Sequence, residues 1–224
     1  MPPTPTLQKW FHTDKSIYEI GVDEVGRGPL FGRVYTAAVV LPKDDDSTFD
    51  FSLMKDSKRF HSAKKIEQVA EYIRENAVAW AVTYEDEQAI DTMNILQATQ
   101  SSMHASIHEV MRKLGETRNY YLLIDGNYFN PITKYDAIEK RFLTIPYSTV
   151  EQGDNKMASI AAASILAKVA RDAYIHELCT EHPELSAHYG IDKNKGYGTR
   201  QHLAGIEAHG ITQWHRKTFK RCHT

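Results

Sequence analysis

The chain has 224 residues, 42% hydrophobic and 25% charged, with a formal net charge of −2. That apolar fraction with so little net charge excludes disorder for the bulk of it, and the length suits one sizeable core. Two cysteines, Cys179 and Cys222, exclude a disulfide scaffold and form no metal-spaced motif, so a reducing compartment, the cytoplasm, is the expected location.

The first residues, MPPTPTLQKWFHTDK, are Pro/Thr-rich and lack the apolar centre of a signal peptide, so 1–16 read as a flexible tail. Ile17–Asp23 and Val34–Leu41 are β-rich and flank a Gly-punctuated turn, which predicts a hairpin. An acidic loop follows from Pro42 to Asp50. Ser62–Asn76 carries Ile66, Val69, Ala70 and Ile73 at helical spacing, with Ser62 as its cap. Ala77–Tyr84 reads as a third strand and Glu87–Lys113 as a long, broken helix ending before Gly115. Tyr120–Asp125 is a continuous apolar run stopped by Gly126-Asn127, the pattern of a buried strand. Phe142–Tyr147 is expected to be a fifth strand, and Asn155–Leu178 an Ala/Ser-rich helix able to lie close on a sheet. A Gly-rich turn (195–198) then leads into a helix over Thr199–His209. This order predicts an α/β fold with a mixed five-stranded sheet flanked by helices, one domain over 17–224. The longest small and apolar run, Ser159–Ala167, is about half of the roughly 18 residues that span a membrane.

Charge is unevenly spread. From Ile191 onward, Lys193, Lys195, Arg200, Arg216, Lys217, Lys220 and Arg221 face only Asp192 and Glu207, a balance of +5 that leaves −7 on the first 190 residues. Such a basic region, within about 183–224, is either a solvated helical face or a phosphate-binding edge beside acidic chemistry.

Phosphate-binding GxxxxGK[ST], metalloprotease HExxH and nucleophile-elbow G-x-S-x-G motifs are absent. Gly26-Arg27-Gly28 opens like a dinucleotide fingerprint, but Phe31 stands where the third glycine belongs. His104 and His108 have no third soft ligand nearby and read as solvated surface histidines. Carboxylates at strand ends remain. Asp23 and Glu24 follow the first strand and Asp125 the buried one, places where a carboxylate is costly unless it is paired or holds a metal. All-oxygen ligands suit Mg²⁺ or Mn²⁺. Asp154 is either a fourth ligand or the cap of the Ala-rich helix, and Asp125 either a ligand or a turn residue. Neighbours on a strand point to opposite faces, so Asp23 and Glu24 reach one metal only if the strand bends or Glu24 lends its carbonyl. Gly26-Arg27-Gly28-Pro29 is either an ordinary turn or a place where backbone N–H groups meet sugar or phosphate oxygens. Lys55–Lys58 is a short basic loop.

Six stretches in order, GVDEVGRGPLFG (21–32), MKDSK (54–58), MNILQAT (93–99), LIDGN (123–127), GDNKMASIAAASILAKVARD (153–172) and NKGYGT (194–199), resemble the type 2 ribonucleases H, specifically the bacterial ribonuclease HII family. The resemblance covers nearly the whole chain. It implies a ribonuclease H-like α/β fold with a helical C-terminal cap. It further implies endonucleolytic cleavage of RNA in RNA–DNA hybrids, and incision 5′ of ribonucleotides embedded in duplex DNA, leaving 3′-hydroxyl and 5′-phosphate ends. By resemblance, Asp23, Glu24, Asp125 and Asp154 are the catalytic acids and the ligands of two Mn²⁺ or Mg²⁺ ions. Gly26, Arg27 and Gly28 sense the 2′-hydroxyl largely through backbone. Tyr197, Lys58 and Asn94 match substrate-contacting positions.

The sister ribonuclease HIII type shows Gly-Thr-Gly at the loop and an extra N-terminal domain, whereas fewer than about twenty residues precede the first strand here. Phe31 and Arg33 stand where relatives usually have Ala and Pro, and Trp214 interrupts the approach to the terminal His-Arg. The expected partners are hybrid and ribonucleotide-containing duplexes, with no membrane and a monomeric chain. The tail KRCHT carries no clamp-binding motif, and association with a sliding clamp stays open. A non-catalytic hybrid-binding module is the first rival, although all four carboxylates are present. A different divalent-metal phosphoryl-transfer enzyme is the second, although the Gly-Arg-Gly and Gly-Tyr elements serve 2′-hydroxyl recognition.

Overall fold

The two β-rich runs on either side of the glycine-punctuated loop pair as expected. β1 (Ile17–Val25) and β2 (Val34–Val40) are antiparallel, with Val25 opposite Tyr35. The computed structural model describes residues 7–43, 48–60, 62–115, 118–136 and 140–222. In chain order follow α1 (Ala63–Asn76), β3 (Ala79–Glu85), α2 (Glu87–Leu114), β4 (Asn119–Asp125), β5 (Thr133–Asp136), β6 (Arg141–Thr144), β7 (Tyr147–Val150), α3 (Ala158–Glu181), α4 (Pro183–Tyr189), α5 (Ile191–Asn194) and α6 (Arg200–His209). The main sheet has the order β3-β2-β1-β4-β7; β1 runs parallel to β4, and β4 to β7. Ser62 takes the position before α1, but its side chain makes no capping bond.

Period-2 alternation divides the sheet between two cores. Ala37 and Val39 face the apolar stripe of α1 and the small residues of α3, while Ile20, Val22, Ala38, Leu122 and Ile124 face Met103, Ile107 and Val110 of α2. The Ala/Ser run of α3 lets its backbone touch the sheet. A methyl group on Gly21 would lie 2.3 Å from the Ser159 carbonyl carbon. Gly21→Ala must therefore push helix from strand and is expected to destabilise the fold by about 1–3 kcal/mol. A lower urea midpoint at unchanged slope checks this; an unchanged midpoint would contradict it.

The fifth strand is not where the sequence placed it. Phe142–Tyr147 straddles two elements: Arg141–Thr144 pairs with Thr133–Asp136 in a separate ribbon, and Tyr147–Val150 is the strand that joins β4. Pro146 separates them, since it has no N–H for a ladder. Phe142, expected in the fifth strand of the main sheet, is 72% exposed and stacks edge-on with Tyr135 across the ribbon.

The expected flexible tail is tied down from Leu7 onward, residues 1–6 lying outside the described chain. Gln8 bridges to Met157, and buried Glu19 accepts from the Phe11 and His12 N–H groups while pairing with Lys43 at 2.8 Å. At the other end α4, α5 and α6 pack on the far half of α3 through Ile175, Leu178, Leu185, Tyr189, Ile191 and Ile206, forming the helical cap. Among the described residues no helix is long and apolar enough to cross a membrane.

Candidate active site

The parallel register of β1 and β4 sets Val22 beside Ile124, so Asp23 and Asp125 are neighbours on one face at the point where β4 ends. Glu24 should face the other way. Beyond Asp125 the chain turns at Gly126, φ 93°, so β4 no longer flanks Glu24, although β2 still pairs with it through Thr36. One carboxylate oxygen each of Asp23, Glu24 and Asp125 nonetheless lies within 4.8 Å of the others. Asp125 Oδ1 also accepts from the Gly153 N–H at 2.6 Å, pinning the single helical turn 153–155 that presents buried Asp154. That bond replaces the turn role considered for Asp125, and Asp154 does not cap α3, whose N-cap is Met157. Asp154 stands outside the three-oxygen cluster but lines the same open cleft of about 480 Å³.

The electrostatics of this cluster call for a cation. Burial, then the nearby Glu24 and Asp125 carboxylates, push Asp23 well above the usual carboxylate range. Burial raises Glu24 as well, against the pull of Arg27, whose Nη1 lies 3.3 Å away. Asp154 is raised by burial, then by Asp56 and Asp125. Burial pulls Lys58 down, but Asp154 (3.8 Å away), Asp56, Asp23 and Asp125 outweigh it. Several converging oxygens, some held against burial that favours their neutral form, fit a hard divalent ion rather than a soft one.

The loop between β1 and β2 forms another part of the cleft and is shaped by two buried arginines that the motif reading passed over. Arg216 donates to the carbonyls of Gly26 (2.6 Å), Arg27 (3.0 Å), Pro29 (2.7 Å) and Gly32 (2.8 Å). Arg171 on α3 donates to Arg33, Phe31 and Lys195. Gly26, at φ 98°, has no room for a side chain: a Cβ would sit 2.4 Å from Arg171 Nε. Because peptides are planar and trans, carbonyls of Gly26 and Arg27 turned onto Arg216 send the N–H groups of Arg27 and Gly28 away from it, and both residues line the cleft. Tyr197 stands beside this loop, its Cε1 3.5 Å from where a Gly28 Cβ would be, and is half exposed.

Nine of the ten expected site residues thus line one cleft: Asp23, Glu24, Gly26, Arg27, Gly28, Lys58, Asp125, Asp154 and Tyr197. Asn94 is not among them. It breaks α2 with φ 70° and caps the helix that restarts behind it, its Oδ1 accepting from Leu96 and Gln97 N–H. Nor are the two α2 histidines alike: His104 is half buried and bonds the Asn130 carbonyl, while His108 is exposed. Phe31 and Trp214 pack against one another, 6.3 Å between ring centres, and Arg33 lies between the rings of Tyr84 and Tyr174. Arg171 carried a legible signal. It falls on the buried stripe of Ala167, Ile175 and Leu178, where a charge needs a partner.

Residues 20–223 match the sequence pattern of the family described as Ribonuclease HII. The Ribonuclease HII of Bacteroides thetaiotaomicron is 43% identical over 208 residues, covering 93% of this chain and 92% of that protein. The ribonuclease H2 of Pyrococcus horikoshii OT3 superposes with a TM-score of 0.69 at 20% identity, over 91% of this chain and 94% of that one. Bst-RNase HIII in complex with Mn²⁺ gives 0.63 at 23% identity, over 92% and 68%.

Proposed function

Since the chain belongs to the ribonuclease HII family, metal-dependent endonucleases acting on RNA–DNA hybrids and embedded ribonucleotides, we propose that the acidic cleft cuts the phosphodiester 5′ of a ribonucleotide. The convergence of three carboxylate oxygens within 4.8 Å, in the cleft that also holds the Gly26–Gly28 loop and Tyr197, carries this reading. Asp23, Glu24 and Asp125 would hold a divalent ion in common, and Asp154 offers a further carboxylate for a second. Mg²⁺ or Mn²⁺ bound there supplies an acidified water and a counter-charge for the departing 3′ oxygen.

The protein's own part is to orient and to select. Asp125 fixes the turn that carries Asp154, and Asp23 Oδ1 accepts the Glu24 N–H at 2.7 Å, so the acids brace one another's backbones. Lys58, largely exposed at the cleft mouth, can meet a phosphate. Lys193 and Lys195 line the same cleft, whereas Arg216 of the basic tail is committed to the loop carbonyls. Duplex binding is accordingly assigned to the lysines and arginines that remain exposed, and it should weaken steeply with salt.

Selection rests on the 2′-hydroxyl, the group that separates ribose from deoxyribose. The outward N–H groups of Arg27 and Gly28 can bond it while the Tyr197 ring packs on the sugar. Tyr197→Ala is expected to lose more activity on a duplex with one embedded ribonucleotide than on a long hybrid, where many registers compensate. Initial rates on the two substrates test this, and equal losses would refute a junction role for the tyrosine.

A further inference from the structure

Beneath the Tyr197 turn lie two histidines that this chemistry leaves unused. His202 of α6 and His215 of the C-terminal segment are both 0% exposed, with their Nε2 atoms 3.0 Å apart. His215 Nδ1 accepts from the Thr212 backbone N–H at 2.9 Å. A backbone N–H can only donate, so Nδ1 is unprotonated and the proton of a neutral His215 sits on Nε2. That proton points at His202 Nε2, which must therefore accept. The proton of His202 is then on Nδ1, 3.0 Å from the carbonyl oxygen of Tyr197. One assignment satisfies every contact, and it runs one way, from Thr212 through His215 and His202 to Tyr197.

The surroundings keep the pair neutral. Phe31 meets His215 edge-on at 5.1 Å, and Tyr189 packs on both rings. Burial lowers His202 and, with His202 beside it, takes His215 down to about 4. The turn they hold is strained: Lys195 is left-handed at φ 53° without being glycine, and Gly196 at φ 85° has the Phe31 carbonyl 2.8 Å from where its Cβ would be. The segment that starts the chain also holds the other wall of the cleft, because Gly32 N–H donates to Trp214, Arg216 N–H donates to Leu30, and Arg216 grips the loop.

We propose that His202 and His215 are positioning residues, a fixed-tautomer chain that holds the Tyr197 carbonyl and so registers the Tyr197 ring against the Gly26–Gly28 loop for reading ribose. Thr212–Arg216 thereby sets both halves of the ribose reader, one through its histidine and one through its arginine. This deepens the role given to Tyr197 above and rests on it.

The test is a double-mutant cycle with a spectroscopic control. His202→Phe keeps a ring but loses the donor, and is expected to lower kcat/KM about tenfold on the single-ribonucleotide duplex. His202→Asn, which restores an amide donor near the Nδ1 position, is expected to recover to within about threefold. In a Tyr197→Ala background, His202→Phe should have no further effect. Imidazole ¹⁵N spectra of the unmodified protein at neutral pH should show His215 protonated on Nε2 and His202 on Nδ1. The same loss from His202→Phe with and without the tyrosine ring, or two rings in one tautomer, would overturn the relay. Unaltered activity of Tyr197→Ala on the single-ribonucleotide duplex would instead overturn the reading beneath it. If His202→Phe does not fold, the Asn variant and the wild-type spectra still decide.

Discussion

Asp23→Asn is expected to reduce metal-dependent cleavage by 10²–10³-fold or more, the order of losing one preorganised electrostatic group, while making the metal-free protein more stable. The substitution keeps the volume and the Oδ1 that accepts from Glu24 N–H, but removes a buried charge lying against two other carboxylates. The pH dependence identifies the cause. Because the folded pKa of Asp23 is raised, the folded chain binds a proton that the unfolded chain has released, so stability falls as pH rises from the unfolded carboxylate value, about 3.9, through the higher folded value. The gain from Asn is therefore absent at the low end of that window and full above it. Thermal melts in chelator between about pH 5 and 8 should show the variant's advantage growing with pH. Added Mg²⁺ or Mn²⁺ should stabilise the wild type more than the variant. Asp125→Asn should lose cleavage in the same way and keep the Gly153 contact. Wild-type turnover by either variant, or melts with no pH-dependent gain, would contradict the assignment.

The largest structural effect is expected at Arg216. Its guanidinium is fully buried and donates to four carbonyls of the β1–β2 loop. Burial, then the charge of Arg171, pull it down to about 9, so it is still charged at neutral pH. Arg216→Ala strands those carbonyls, each costing about 1–3 kcal/mol when unsatisfied, and removes the desolvation cost of the charge, which offsets part of the loss. A net destabilisation of about 3–5 kcal/mol follows, or a fall in melting temperature of about 10 °C for a chain of this size. Cleavage should fall about 100-fold even at temperatures where the variant is folded, because the loop beside the acids loses its shape. Arg216→Lys should not rescue, since an ammonium cannot fork to four acceptors. A lysine variant with wild-type stability and activity would show that charge, not geometry, is what the loop needs.

How much of this was readable in the sequence depended on whether one residue decided the outcome locally. Tyr120–Asp125 and Ser159–Ala167 stand out as unbroken runs of apolar and small residues, and the adjacency of Asp23 and Asp125 follows once two parallel strands are aligned. Phe142–Tyr147 misled because a short apolar run does not say which strand it will meet, and Pro146 cuts it in two. Asn94 matched a contact motif, yet its left-handed backbone and capping bonds explain its presence in α2 without a ligand. The meeting of Glu24 with Asp23 runs against strand alternation even though β2 still pairs with Glu24, and no sequence period records it. Arg171 was findable as a charge on an apolar helical stripe. Arg216, His202 and His215 were not, because Arg216 meets loop backbone 184 to 190 residues away and the two imidazoles meet only once α6 and the C-terminal segment pack together, which no periodicity records.

The central claim is most directly tested with purified protein and an end-labelled DNA duplex containing one ribonucleotide, incubated with Mg²⁺, with Mn²⁺ and with chelator. An all-DNA duplex and a long RNA–DNA hybrid serve as comparisons. The account predicts one metal-dependent cut on the 5′ side of the ribonucleotide, cleavage of the hybrid, and none of the all-DNA duplex. Binding to the ribonucleotide duplex without incision under either metal would contradict it.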